Sequence, residues 1–183
     1  MNWIEAITNY VPCCRQEESD KEVILKFLDK FDDVLTRDNK LAHMTSSAFV
    51  VNKKRDKVLM IHHNIYNTWS WTGGHADGEE NLLKTSLKEL NEETGIKSFR
   101  ILNENMVSLD ILPVFGHMKN GEFISPHLHF NAAYLVEADE TEQLISKPDE
   151  NSGAMWIDVD EIGMRSNEEH MKKIYCKILS KIK

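Results

Sequence analysis

The stretch that decides the fold runs from Gly73 to Ile96 and has the sequence GGHADGEENLLKTSLKELNEETGI. Glycines stand near both of its ends, and four of its carboxylates are at Glu80, Glu89, Glu92 and Glu93. A segment that was needed only for packing would have little use for so much negative charge. We therefore expect this segment to form the functional site.

The spacing within this stretch predicts a helix from about Gly78 to Thr94. Asp77, with Glu80 three residues later, is typical of a capping box at a helix start. Gly95 follows at the position where a left-handed residue usually ends a helix.

The predicted helix has two chemically different faces at about 100° per residue. Its apolar stripe consists of Leu83, Leu87 and Leu90. Its acidic face consists of Glu89, Glu92 and Glu93. Like charges at these spacings destabilise a helix by roughly 0.2–0.5 kcal/mol per pair, and a bound cation removes that cost. Oxygen ligands without Cys or His among them favour Mg²⁺, with Mn²⁺ as a second choice. The alternative is a solvated acidic face.

The fixed residues of the stretch also match a known pattern. Gly74, Glu80, Lys88-Glu89-Leu90, Glu92-Glu93 and Gly95-Ile96 have the spacing of the Nudix box, G-x5-E-x7-R-E-U-x-E-E-x-G-U with U aliphatic, so the chain resembles that family. One position departs, because Lys88 stands where the family has Arg. The resemblance implies a brace from Lys88 to Glu80, which a lysine forms less well because it lacks the planar guanidinium fork.

The resemblance implies a Nudix-like α/β/α sandwich with a mixed β-sheet, and the alternation of strands with one central helix agrees with it. It implies that Glu89, Glu92 and Glu93, with the Gly73 carbonyl, hold Mg²⁺, and that Glu80 supports the helix and contacts the metal through water. Either Glu89 or Glu93 is then the general base. The implied reaction is Mg²⁺-dependent attack of water on a nucleoside diphosphate linked to another moiety.

Two other functions share this fold. A non-catalytic Nudix-like module could sense a nucleotide or sugar, but such modules usually lose box glutamates that this chain keeps. An enzyme like isopentenyl-diphosphate isomerase would use a cysteine together with a glutamate, and the cysteine would lie close before the box. The segment from Trp71 to Gly74 contains no cysteine.

The amino-acid composition of the chain limits the classes of molecule that it can bind. The 183 residues include 22 basic and 30 acidic side chains, for a formal net charge of -8. This charge argues against binding of a nucleic-acid polymer or an anionic membrane, so a small-molecule diphosphate is the expected partner. No apolar run of about 18 residues and no secretory signal is visible, and we expect a cytoplasmic protein.

We expect a helical N-terminal extension, residues 1–38, followed by a domain, residues 39–183, that resembles a Nudix hydrolase. The extension either packs on the domain as an extra layer, forms a homodimer contact or covers the substrate as a lid. Residues 47–52 and 57–62 predict two strands of a central hairpin.

Several aromatic residues and histidines are candidates for substrate binding. Trp69 and Trp71 place their indoles on one side of an extended segment, where they could stack on a base or pack in the core. His127 and His129 share one face of a predicted strand, where zinc binding, hydrogen bonds to substrate and a structural role are all open. His75 follows the glycine pair directly. From about residue 41 to residue 160, the Gly-Gly-His and His-x-His segments resemble a little-characterised branch of bacterial Nudix hydrolases.

An acidic run, residues 137–142, follows the His-x-His strand. Most such runs are solvated loops. The resemblance implies that an acidic residue in a loop distant from the box completes the metal shell or acts as base. Asp139, Glu140 and Glu142 are the candidates, and we favour Glu140.

Overall fold

The computed structural model describes residues 2–119 and 121–182. Its helices are α1 (Trp3–Asn9), α2 (Arg15–Leu28), α3 (Leu82–Thr94), α4 (Ile162–Arg165) and α5 (Glu169–Lys181). Its strands are β1 (Ala42–Val51), β2 (Lys57–His63), β3 (Thr68–Ser70), β4 (Thr72–His75), β5 (Phe99–Ile101), β6 (Ser108–Val114), β7 (His117–Lys119), β8 (Glu122–Ile124), β9 (His127–Ala138) and β10 (Asn151–Asp158). No helix in this described part combines the length and hydropathy needed to cross a bilayer.

A mixed sheet, eight-stranded within the described residues, forms the centre of the protein. Strand β1 lies parallel to β9 and antiparallel to β2 and β4, with the β4 pairing along one part of its length and the β2 pairing along another. All ten residues of β1 are buried, because the sheet is covered on both faces. The predicted hairpin of β1 and β2 is confirmed. Strands β7 and β8 form a separate hairpin.

The two faces of the sheet carry different layers. On one face, Ala48 and Val50 of β1 cluster with Leu90 of α3. On the other face, Phe49 and Val51 cluster with residues of α5. Because side chains alternate along a strand, this arrangement assigns each β1 side chain to one face. The predicted α/β/α sandwich is confirmed.

Helices α1 and α2 pack beside β6 and β9. Ile7 and Ile24 are fully buried in a cluster that includes Leu109 and Phe130. The second helix ends at Leu28, within the extension that the sequence predicted as helical to residue 38.

A buried ionic network fastens α2 to α5. The Glu17 carboxylate accepts hydrogen bonds from Lys181 Nζ at 2.7 Å and from the Cys13 backbone N–H at 2.8 Å, and Lys177 Nζ lies 3.0 Å away. Burial would raise the pKa of Glu17, but these hydrogen bonds, together with one from Tyr10, outweigh it and lower the pKa to about 2.

Helix α3 begins later than the sequence predicted. Asn81 caps it by accepting a hydrogen bond from the Lys84 backbone N–H at 3.0 Å. Asp77 is not the cap, because it has a positive φ of 47° and its carboxylate binds the Arg37 guanidinium through two hydrogen bonds of 2.8 and 2.7 Å. The predicted end is confirmed, since Gly95 has the left-handed φ of 77°.

Candidate active site

The glycine pair in β4 fits between α3 and the neighbouring strand β1. A Cβ atom on Gly74 would lie 2.5 Å from the Glu89 carboxyl carbon, and one on Gly73 would lie 2.4 Å from Ser47 Oγ. Both distances are shorter than any normal contact between such atoms. A side chain on Gly74 would therefore displace the Glu89 carboxylate, whereas a side chain on Gly73 would clash with β1.

Glu93 is the most deeply buried carboxylate of this helix, with 3% of its surface exposed. Its Oε2 atom accepts a hydrogen bond of 2.9 Å from the Gly73 backbone N–H. Burial raises the pKa of Glu93 to about 8, the Gly73 hydrogen bond opposes this rise, and the negative charges of Glu89 and Glu150 add to it. Without a cation beside it, the carboxyl group therefore favours the protonated form at neutral pH.

Glu89 is partly buried, and Glu92 is exposed on the same face of α3. Burial raises the pKa of Glu89, and the negative charges of Glu92 and Glu150 act in the same direction against Lys88 and Lys147. Raised carboxyl pKa values at clustered sites are typical of positions that bind a metal or transfer a proton.

The predicted brace between Lys88 and Glu80 is wrong. The Lys88 ammonium lies 3.6 Å from Glu89 Oε1 and 3.4 Å from Glu92 Oε1, and these are its ion pairs within the described residues. Glu80 is exposed in the loop before α3. A lysine is a flexible point charge, so it turns to the carboxylates of its own helix.

Glu140 does not lie with the helix glutamates. It follows the end of β9 and forms an ion pair of 2.8 Å with Lys57 at the start of β2. Strand register explains this position, because the end of β9 pairs with Val51, whereas Gly73 pairs with Ser47 near the middle of β1.

Glu150, which the sequence did not single out, takes the place expected for Glu140. Its charge raises the pKa values of Glu89 and Glu93, and Lys147 links it to this cluster through contacts of 3.0 Å to Glu150 and 3.4 Å to Glu92. The only sequence signal was its position in the acidic stretch before β10.

The two tryptophans differ in their environments. Trp71 is buried, packs edge-on against Tyr175 at 5.4 Å between ring centroids, and belongs to the core beneath α5. Its predicted stacking on a substrate base is therefore wrong, and the core-packing alternative is confirmed. Trp69 is partly buried beside His62, with a centroid distance of 5.3 Å.

The predicted histidines do come together, and they meet a fourth. Strand register places His43 of β1 beside His129 of β9. Ring centroids lie 5.1 Å apart for His43 and His75, 4.9 Å for His43 and His127, and 4.9 Å for His75 and His129. We call these four residues the histidine cluster. His43 was missed because it lies far along the chain from the others and has no local motif.

The histidine cluster and the glutamates of α3 belong to opposite faces of the sheet. Ser46 of β1 faces α3, since its hydroxyl donates a hydrogen bond of 2.6 Å to the Leu82 carbonyl. His43 is an odd number of residues from Ser46, so its side chain points to the other face. His75 is likewise one residue from Gly74, whose missing Cβ would point at Glu89.

The residues of the described site fit a hard divalent cation. Glu89, Glu93 and Glu150 bring carboxylate groups close enough to perturb one another, and all three residues are partly or fully buried. Such a set of oxygen donors suits Mg²⁺ or Mn²⁺. A nearby cation would also remove the mutual repulsion that raises their pKa values.

Comparison with known proteins identifies the family. The family model described as "NUDIX domain" matches residues 42–178. The chain belongs to the Nudix family.

Two curated relatives match this Nudix protein over part of their length. A probable DHNTP pyrophosphohydrolase from Lactococcus lactis is 29% identical over 102 residues, which cover 54% of this chain and 56% of the relative. The m7GpppN-mRNA hydrolase NUDT17 from Xenopus laevis is 32% identical over 123 residues, which cover 62% of this chain and 40% of the relative. The match thus spans about half the length of these relatives.

Solved structures show the same fold at low sequence identity. An Ap4A hydrolase from C. elegans in a binary complex has a TM-score of 0.57 and 14% identity, covering 76% of this chain and 96% of that chain. A NUDIX-family hydrolase from Clostridium perfringens has a TM-score of 0.55 and 20% identity, covering 77% and 98%. The Nudix fold assignment therefore has support from both sequence and structure.

Proposed function

We propose that this Nudix protein is a Mg²⁺-dependent hydrolase that cleaves a pyrophosphate bond in a nucleoside diphosphate linked to another moiety. The observation that carries the proposal is the convergence of Glu89 and Glu93 on the glycine pair, with Glu150 close enough to help raise their pKa values. A sensor that only binds a nucleotide would not need this cluster.

The chain supplies the ligands, and the bound cation acts as the Lewis acid. Glu92 and Glu93, with the Gly73 carbonyl, would hold Mg²⁺, or Mn²⁺ in its place. When bound, such an ion neutralises the phosphate charges and lowers the pKa of water. Glu93 suits the role of ligand, because the Gly73 N–H fixes one of its oxygens and leaves the other available.

Glu89 suits the role of general base. Its side chain is more exposed than that of Glu93, so water can reach it. Its raised pKa brings it closer to the operating pH, where a base accepts a proton efficiently. The sequence left Glu89 and Glu93 as equal candidates for this role.

Glu150 replaces Glu140 in the proposal. Its position beside Glu89 and Glu93 suits the acidic residue that completes the metal shell from a distant loop. Lys147 lies between Glu150 and Glu92 and is placed to balance part of their charge.

The substrate proposal is a small molecule. One relative is named for a DHNTP pyrophosphohydrolase activity and the other for mRNA hydrolysis, so relatives alone do not decide the class. The net charge of -8 opposes binding of a polyanion, whereas one diphosphate can be held locally by a cation. The cytoplasmic location, the homodimer and the division at residue 38 stay predictions.

The test is a screen of small diphosphates with Mg²⁺ and with Mn²⁺, measuring released phosphate-bearing products. Glu92→Gln and Glu93→Gln should abolish turnover of any substrate found, and both variants should remain folded. Glu104→Gln, in the exposed loop between β5 and β6, is the matched control and should keep full activity. Product from both helix variants would contradict the proposal, and absence of product from every diphosphate would favour the sensor.

A second comparison separates the two catalytic roles. Glu89→Gln should lower kcat roughly 100- to 10,000-fold, the usual contribution of a general base, and leave Mg²⁺ affinity nearly unchanged. Glu93→Gln should weaken Mg²⁺ binding itself, as measured by calorimetry. The opposite pattern would exchange the two roles.

A further inference from the structure

The histidine cluster draws its members from three strands. His43 lies on β1, His75 on β4, and His127 and His129 on β9. One ring nitrogen from each of His43, His75 and His129 lies within 4.8 Å of the other two. The His127 ring is 5.1 Å from the His129 ring between centroids. The pairing of the strands therefore concentrates four imidazole groups in one place.

Two of these rings are oriented by backbone carbonyls. His43 Nδ1 donates to the Asn39 carbonyl at 3.0 Å, and His127 Nδ1 donates to the Ser125 carbonyl at 2.8 Å. Each neutral ring then carries its proton on Nδ1 and a lone pair on Nε2. A histidine that binds a metal typically donates its other ring N–H to a carbonyl in this way.

The Nε2 atom of His43 is buried and lacks a hydrogen-bond partner among the described residues. The whole residue is 4% exposed. A buried polar atom without a partner costs about 1–3 kcal/mol, so the position needs an explanation. A ligand within the cluster would provide the missing partner.

The spacing of two ring nitrogens matches one coordination geometry. His127 Nε2 and His129 Nε2 lie 3.3 Å apart, which is long for an N–H···N hydrogen bond. Two imidazole nitrogens at about 2.0–2.1 Å from one tetrahedral zinc ion would be roughly 3.3 Å apart. The distance therefore fits two ligands of a single ion as well as it fits a long hydrogen bond.

The chemistry of the donor atoms also favours one class of cation. The cluster offers imidazole nitrogens from three strands and no carboxylate among its four members. Neutral imidazole prefers borderline ions such as Zn²⁺ to the hard Mg²⁺.

We propose that His43, His75, His127 and His129 bind one divalent transition-metal ion of the zinc class, at a site separate from the glutamates of α3. The ion connects β1, β4 and β9 on the sheet face opposite α3. The proposal stands independently of the proposed hydrolysis, because it concerns different residues and a different class of ion.

The test uses the full chain, stripped with a chelator and then loaded with Zn²⁺ alone. Elemental analysis after gel filtration should find one Zn²⁺ per chain, and Co²⁺ should give the intense visible absorption of a tetrahedral complex. His127→Ala and His129→Ala should each weaken Zn²⁺ binding by more than tenfold, since even changes outside the ligand shell cost roughly 10–100-fold. His170→Ala on α5 is the matched control and should bind as the unchanged protein does.

Two further measurements keep the outcome clear. Metal-free unfolding curves show whether a variant lost zinc because it lost its fold, and the partly exposed His127 is the safer position in this respect. Glu93→Gln should retain the zinc even if it loses all hydrolysis. Absence of stoichiometric Zn²⁺, its retention when His127 and His129 are both replaced, or binding of inorganic phosphate in place of Zn²⁺ would each overturn the proposal.

Discussion

Glu93 should reduce the stability of the metal-free protein at alkaline pH, and Glu93→Gln should remove this effect. Burial raises the pKa of Glu93 from 4.5 to about 8. The unfolded chain therefore releases this proton at lower pH than the folded protein does. The folded state then loses stability as the pH rises from about 4.5 to about 8, and Glu93 causes no such loss below that window.

The size of the effect follows from linkage. One pKa unit corresponds to about 1.4 kcal/mol, so full ionisation of Glu93 costs the folded state about 5 kcal/mol. The glutamine amide keeps an oxygen that can accept from the Gly73 N–H, but its buried NH₂ group needs a partner and costs about 1–3 kcal/mol at every pH. Glu93→Gln should thus be slightly destabilising at pH 5 and stabilising by a few kcal/mol at pH 9.

The assay is urea unfolding in the presence of EDTA at both pH values, for the unchanged protein and the variant. The difference in unfolding free energy between the two proteins should change by about 4 kcal/mol between pH 5 and pH 9. Glu92→Gln, an exposed position on the same helix, should stay within about 0.5 kcal/mol at both. If the Glu93→Gln difference is the same at pH 5 and pH 9, Glu93 does not have the raised pKa, and the reasoning from burial fails.

Three more outcomes are expected. Glu150→Gln should lower hydrolysis at least tenfold, whereas Glu140→Gln, which breaks an ion pair with Lys57 away from the helix glutamates, should leave kcat/KM unchanged; equal effects would remove Glu150 from the site. Gly74→Ala should lower hydrolysis strongly, because its Cβ would lie 2.5 Å from the Glu89 carboxyl carbon, and full activity in this variant would show that the close contact is not needed. Glu17→Gln should cost about 3 kcal/mol of stability at pH 7, since the pKa of Glu17 falls from 4.5 to about 2 in the folded state. That contribution is present above pH 4.5 and is lost as the pH falls through about 2, so a variant that unfolds like the unchanged protein at pH 7 would contradict it.

Local sequence was sufficient for the parts of the protein that depend on near neighbours. The acidic face of α3 follows from the spacing of its glutamates, and its end follows from the left-handed backbone that Gly95 adopts. The start of α3 was misplaced because both Asp77 and Asn81 are good capping residues. Only the pairing of Asp77 with Arg37, distant in sequence, decides between them.

Tertiary structure alone decided which distant residues meet. Glu150 and not Glu140 lies beside the helix glutamates, because strand register carries the end of β9 away from the glycine pair. Trp71 packs in the core because α5 covers that face of the sheet. A sequence pattern cannot show either result, since it carries no information on pairing between remote strands.

The same division applies to the two candidate metal sites. Sequence by itself determined the glutamate face of α3, because a helix places residues three and four apart on one side whatever surrounds it. It showed two histidines on one strand face, but the parallel pairing of β1 with β9 was needed to bring His43 beside His129. The physical reason is that helix geometry is set by bonds between near residues, whereas sheet geometry is set by hydrogen bonds between segments that the chain keeps far apart.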